Sequence, residues 1–284
     1  MKNKTVTIAA IQSAVLKDKE TNLWNTIKKI EQAAKKGAKI ICLQELFSSI
    51  YFPQEKKTPY EKYSDTIPGD LTRQFGELAR RLEVVIILPI FEKSKDGKFY
   101  NSVAIINEKG KLMDTYRKIH IPYDPRYYEK NYFREGNKGY KVFKTKFATF
   151  AVLICYDQWF PEAARMVSLA GAEIIFYPTA IGTIIGDKDN YGDWQNAWET
   201  VQRGHAVANS VNVVAVNRVG REDKINFWGQ SFVTDAFGKI SKKASAKKDE
   251  IIIAILDLEL NNHIRKEWGF FANRRPDTYK LSKK

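Results

Sequence analysis

Two cysteines, Cys42 and Cys155, and three histidines, His120, His205 and His263, are all that 284 residues contain of these types. A pair of cysteines is too few for a disulfide framework in a chain this long. No CxxC pair or Cys/His cluster has metal-ligand spacing, so neither a metal nor another cofactor is expected. Long apolar runs are missing too. A stretch such as Val84 to Ile90 falls far short of the roughly 20 residues that cross a bilayer. The first ten residues enter an alternating pattern at once, without the basic start, apolar stretch and small-residue cleavage site of a secretion signal. The expectation is a protein of the reducing cytoplasm with no membrane partner. No Ser/Gly-rich linker or internal repeat divides the chain. One domain over residues 1–284 is expected, ending in a polar, aromatic arm from about Glu259 to Lys284.

Charge is plentiful and unbalanced: 47 Lys and Arg against 33 Asp and Glu, a formal net charge of +14. Alone, that excess suggests nucleic acid or a membrane surface. The lysines are scattered, however, and the densest run, Lys239, Lys242, Lys243, Lys247 and Lys248, has no interleaved aromatics to stack on bases. It reads as a solvated basic surface, and no nucleic-acid partner is expected. With 44% hydrophobic residues the chain can build a sizeable core.

Periodicity predicts mixed α and β structure. Strands are expected at Thr5–Ala10, Lys39–Leu43, Val84–Ile90, Ser102–Asn107, Lys111–Tyr116, Tyr140–Phe143, Phe147–Ile154, Glu173–Tyr177, Asn212–Val219, Gly229–Thr234 and Glu250–Leu256. Helices are expected around Leu23–Ala34, Leu71–Leu82, Pro161–Ala170 and Asp193–Asn209. The stretch His120–Gly139 has no period, four Pro or Gly residues and many aromatics, and reads as a long functional loop.

Three strand ends carry chemistry. Cys155 follows Phe150-Ala151-Val152-Leu153-Ile154 and precedes a helix. A lone cysteine is usually a small buried hydrophobe. At the end of a strand, with backbone N–H groups and a helix N-terminus close by, it is better read as a nucleophile. Cys42, inside an apolar run, keeps the packing role. Glu45, just past the Lys39–Leu43 strand, reads equally well as a surface cap or as a general base in a low-dielectric cleft. Lys118, just past Tyr116, would alone be a surface lysine. Taken together, the three form a possible site. His205, within a helix, reads as an interface filler. His120 reads as a support for Lys118. A Cys-His protease is the rival mechanism, but no papain-like cysteine motif is present.

The segments Leu43-Gln44-Glu45-Leu46-Phe47, Tyr116-Arg117-Lys118-Ile119-His120 and Ile154-Cys155-Tyr156-Asp157-Gln158-Trp159-Phe160-Pro161-Glu162 resemble the nitrilase superfamily of carbon–nitrogen hydrolases in kind and order. Glu45 and Lys118 lie 73 positions apart, and Lys118 and Cys155 lie 37 apart. The resemblance runs from about Thr5 to Asn273. It implies a four-layer α-β-β-α sandwich of the α/β class and a Glu-Lys-Cys set, with Glu45 as base, Lys118 as oxyanion-stabilising cation and Cys155 as nucleophile. Glu129, in Tyr127-Tyr128-Glu129-Lys130, matches a second glutamate common in the family, one that orients or assists the triad. The backbone N–H of Tyr156 would complete the oxyanion site. Homodimers or larger homo-oligomers are the family's habit.

Cys155 to Arg165, Tyr177-Pro178-Thr179-Ala180-Ile181-Gly182 and Gln202-Arg203-Gly204-His205-Ala206 are most similar to the N-carbamoylputrescine amidase branch. The expected substrate contacts are Tyr51, Gln158, Trp159, Thr179 and Ala180. Relatives that act on carbamoyl amino acids often carry arginine soon after the cysteine. Gln158 and Trp159 cannot make its paired bonds to a carboxylate, so an amine tail against aromatic faces is expected instead. Two positions depart from the branch. Tyr156 stands where Trp is usual, and Thr183-Ile184 stands where a glutamate follows Ala-Ile-Gly, so Asp187, Asp189 or Asp193 would have to meet the ammonium. The alternatives are a β-ureidopropionase, an ω-amidase or a catalytically idle binding protein. If an anionic substrate were preferred, Arg203 or Arg218 would have to reach the pocket.

Overall fold

Residues of β1 (Thr5–Gln12) alternate between two apolar cores: Val6, Ile8 and Ala10 lie in one, Ala9 and Ile11 in the other. That is the period of two a strand imposes. The computed structural model describes residues 4–186 and 192–279. After α1 (Lys19–Lys35), started by the Asp18 carboxylate accepting from the Thr21 N–H, the split continues. In β2 (Ile40–Leu43), Ile40 and Cys42 join the first core and Ile41 and Leu43 the second. Beyond α2 (Asp70–Leu82), β3 (Val85–Lys93) and β4 (Phe99–Ile106) divide in the same way, and β5 (Leu112–Arg117) closes the sheet.

The two cores identify the layers. The second takes Leu23 and Ile30 from α1 and Leu71, Phe75 and Leu78 from α2, so these helices cover the outer face. The first takes Phe150, Val152, Ile174, Phe176 and Val213 from the other half of the chain, so it lies between two sheets. That half runs β6 (Val142–Lys144), β7 (Thr149–Val152), α3 (Pro161–Leu169), β8 (Ile174–Pro178), β9 (Gly182–Ile184), α4 (Trp194–Asn209), β10 (Asn212–Val216), β11 (Val219–Glu222), β12 (Ile225–Trp228), β13 (Phe232–Thr234), β14 (Ile240–Lys243), β15 (Glu250–Asp257) and α5 (Leu258–Trp268). Its sheet has the order β14-β13-β10-β8-β7-β6, against β15-β1-β2-β3-β4-β5 for the first. With α3 and α4 outside, the result is the expected α-β-β-α sandwich.

Both sheets have three parallel strands at their centre, β1-β2-β3 and β7-β8-β10, flanked by antiparallel ones. Because β5 is two antiparallel steps from β3, it runs in the direction of β2. Glu45, beyond β2, and Lys118, beyond β5, therefore emerge at the same edge. Cys155 and Thr179 follow β7 and β8, at the carboxyl ends where open α/β folds place their sites.

Some expectations need correction. The segment Asn212–Val219 is not one strand. It breaks because the Asn217 side chain bonds the Ile181 N–H and the carbonyls of Ile181 and Gly229. The strand expected from Gly229 pairs only at Phe232–Thr234. The terminal arm begins with α5, which buries Leu258, Asn261 and Ile264 and starts on an Asp257 cap. Short strands β9 and β12, which join β11 in a third sheet, and β14 on the edge of the second sheet, were not expected. Among the described residues no helix is long and apolar enough to cross a membrane.

Candidate active site

Lys118 is fully buried. Its ammonium lies 2.9 Å from Glu45 Oε1 and 2.7 Å from Glu129 Oε2. A buried cation survives only when it is paired and its N–H groups are met. Burial alone would lower its pKa, but the charges of Glu129 and Glu45, with Cys155 close by, outweigh that and raise it above the ordinary value. Lys118 is thus a permanent cation held between two carboxylates.

Glu45 uses one oxygen and leaves the other open. Oε1 accepts from Lys118 and, at 2.7 Å, from Asn101 Nδ2 of β4. Oε2 is buried and has no partner among the described residues. An open acceptor on a buried carboxylate can take a proton. The turn carrying Glu45 is pinned by Arg218. This fully buried guanidinium donates to the carbonyls of Glu45 (3.0 Å), Leu46 (2.8 Å) and Ser49 (3.1 Å) and pairs with Glu222 at 2.7 Å. The fastening holds Leu46 at a φ of 51°, a left-handed conformation costly for a branched side chain.

Cys155 opens a short 3₁₀ turn, Cys155–Trp159, with a φ of 43°. Strain of this kind in a non-glycine residue persists only where the surroundings impose it, commonly at functional sites. Burial raises the thiol pKa well above its ordinary value, Glu45 adds to this, and Lys118 opposes it. This direction favours the protonated thiol. The Ala180 backbone nearby has a small lowering effect on the thiol pKa. Tyr156, next along, lies in the first turn, where an N–H has no intrahelical acceptor.

Asp157 ties the Cys155 turn to the Lys118 strand end. Fully buried, it accepts from the Tyr116 hydroxyl (2.8 Å) and the Ile154 N–H (2.9 Å) on one oxygen. Its other oxygen meets the His120 backbone N–H at 3.0 Å and ring Nδ1 at 2.7 Å. The His120 ring stacks on Phe160, 3.7 Å between centroids.

A cavity of about 870 Å³ opens on Cys155, walled by Tyr156, Trp159, Trp194 and Trp228 and bearing the carboxylates Asp124 and Asp193. No lysine or arginine lines it among the described residues. Trp159 lies where the sequence placed it. Tyr51 does not form a wall. It is fully buried and gives its hydroxyl proton to Glu129 Oε1 at 2.7 Å. Gln158 does not reach the cavity either, because its side-chain oxygen accepts the Trp198 indole N–H at 2.9 Å and its carbonyl bonds His205 Nε2 at 2.8 Å. Thr179 is buried, with its hydroxyl on the Tyr177 carbonyl and on Gln158. Ala180 is buried and does not line the cavity. Ile184 lines the cavity, Asp193 lies on its rim, and Asp187 and Asp189 are outside the described residues. Arg218 is spent on the Glu45 turn and Arg203 on the Gly238 carbonyl, so neither meets a substrate. Asn101 and Asp157 were missed, and Arg218 was read only as a possible partner for an anionic substrate, since a polar residue aimed inward leaves no mark on hydrophobic periodicity.

A buried Glu-Lys-Glu cluster beside a strained cysteine thus lies at the strand ends of a four-layer α-β-β-α sandwich. The chain belongs to the carbon-nitrogen hydrolase family, whose model matches residues 7–266. It is an amidohydrolase acting on C–N bonds other than peptide bonds. It is 44% identical to an N-carbamoylputrescine amidase of Oryza sativa subsp. japonica, over 97% of this chain and 94% of that protein. A citrullinase of Francisella tularensis subsp. tularensis is 40% identical over 96% of each chain. The crystal structure of a carbon-nitrogen hydrolase from Helicobacter pylori G27 superimposes with a TM-score of 0.92 at 38% identity, covering 97% of both chains.

Proposed function

We propose that the chain hydrolyses N-carbamoylputrescine to putrescine, carbon dioxide and ammonia through a thioester on Cys155. The observation that carries the substrate is the cavity lining: three tryptophans and two carboxylates, with no cation among the described residues. Such walls suit a cationic alkyl tail, and among the described residues they hold no Lys or Arg to pair with a carboxylate. The N-carbamoylputrescine amidases at up to 44% identity support the same choice.

The chemistry follows from the site. Glu45 takes the thiol proton on its open oxygen, and the sulfur attacks the carbamoyl carbon. The carbonyl π pair moves to oxygen, where Lys118 and the Tyr156 N–H meet the charge. As the oxyanion collapses, the C–N bond breaks and Glu45 returns the proton to the departing nitrogen. Water, giving a proton to Glu45, then attacks the thioester carbonyl; the C–S bond breaks, Cys155 takes that proton back from Glu45, and the released carbamic acid splits into carbon dioxide and the second amine. Glu129 holds Lys118 in place throughout. The test is ammonia release from N-carbamoylputrescine, N-carbamoyl-β-alanine and citrulline at equal salt. The highest kcat/KM is expected for the first; a clear preference for N-carbamoyl-β-alanine overturns the substrate assignment.

A further inference from the structure

Ile184 leaves the far end of the cavity without the glutamate the sequence comparison led one to expect there, and the cavity supplies a different carboxylate. Asp193 is the N-cap of α4, with Oδ1 accepting from the Asn196 N–H at 2.9 Å, so its position is fixed by the helix. The next residue, Trp194, meets Trp159 edge to face, 6.4 Å between centroids at 86°. Trp159 ends the same short turn that Cys155 begins. An unbroken aromatic wall thus leads from the nucleophile to Asp193. Deeper in the same cavity Trp228, 6% exposed, keeps an indole N–H with no acceptor among the described residues, as a wall built to take a ligand would.

We propose that Asp193, with the faces of Trp159 and Trp194, is the subsite for the substrate's distal ammonium and the residue that sets the preference for amine-tailed carbamoyl compounds. This rests on the amine-tail reading above. Asp124, the other carboxylate of the cavity, belongs neither to the turn that carries Trp159 nor to the helix that carries Trp194.

Asp193→Asn tests it cleanly, because asparagine caps a helix as well as aspartate and only the charge is lost. Two substrates are compared: N-carbamoylputrescine and butylurea, which has the same carbamoyl end and no ammonium. In Asp193→Asn, kcat/KM for N-carbamoylputrescine should fall on the order of tenfold or more, mostly through KM. Butylurea turnover and the melting temperature should not move. Asp124→Asn should lower kcat/KM for N-carbamoylputrescine less than Asp193→Asn does, leaving the ratio of the two substrates nearer the wild-type one. An unaltered substrate ratio in Asp193→Asn, or the loss appearing in Asp124→Asn instead, overturns the assignment. If the wild-type enzyme turns over both substrates equally well, the amine-tail reading itself fails, and the subsite with it. That result is visible before any variant is made.

Discussion

Tyr51 donates its hydroxyl to Glu129 Oε1 at 2.7 Å, while the other oxygen of the same carboxylate takes the Lys118 ammonium at 2.7 Å. Tyr51 therefore acts on the reaction through Glu129 and Lys118, without touching the cavity. Tyr51→Phe should lower kcat about tenfold with little change in KM, whereas loss of a substrate contact would raise KM. Steady-state kinetics on N-carbamoylputrescine distinguish the two.

The pH profile carries a second signature. Burial raises the Glu129 pKa from its ordinary 4.5 to about 7, against the lowering influence of Lys118 and the Tyr51 hydroxyl. Below about 7 the carboxylate is protonated and its hold on the Lys118 ammonium weakens. Activity should rise with pH through that value, and Glu129→Gln should remove this limb and lower kcat. The stability consequence has the opposite sign. Between 4.5 and about 7 the folded state holds a proton that the unfolded chain has released, so this group's contribution to stability declines as pH rises through that window. Stability curves of wild type and Glu129→Gln across pH 4 to 8 should diverge in that direction.

Glu45→Gln removes the buried carboxylate oxygen that has no partner among the described residues. Turnover should fall on the order of 100-fold or more, the typical cost of losing a placed general base. The protein should remain folded by circular dichroism. Retained turnover in this variant would assign the base elsewhere.

The parts of the site legible in the sequence are those that end strands. Glu45, Lys118 and Cys155 each follow a run whose apolar pattern locates it, and their neighbours carry the family resemblance. Side chains that reach across the molecule were not legible. Arg218 bonds carbonyls 172 and 173 positions away, and Asn101 meets Glu45 across 56. Tyr51 and Gln158 were misplaced for the same reason: nearness to a catalytic residue in sequence does not say which way a side chain turns. Helix α5 was hidden by its composition, because only Leu258, Asn261 and Ile264 are buried and one of those is polar.

Arg218 gives a test of the buried fastening. Arg218→Lys keeps the charge but loses the planar fork that serves three carbonyls and Glu222. Stability should fall by about 2 kcal/mol in urea titrations. Activity should fall as well, because the Glu45 turn is freed. Unchanged kinetics would mean that the turn holds its shape without the guanidinium.

Cys155, as the proposed nucleophile, carries the acyl group between the two steps. Intact-mass and peptide mass spectrometry of enzyme acid-quenched during turnover of N-carbamoylputrescine tests it most directly. An adduct is expected on the peptide containing Cys155, with Cys155→Ala binding substrate while forming no adduct and releasing no ammonia. Ammonia release by Cys155→Ala above a trace, or an adduct on another residue, would contradict it.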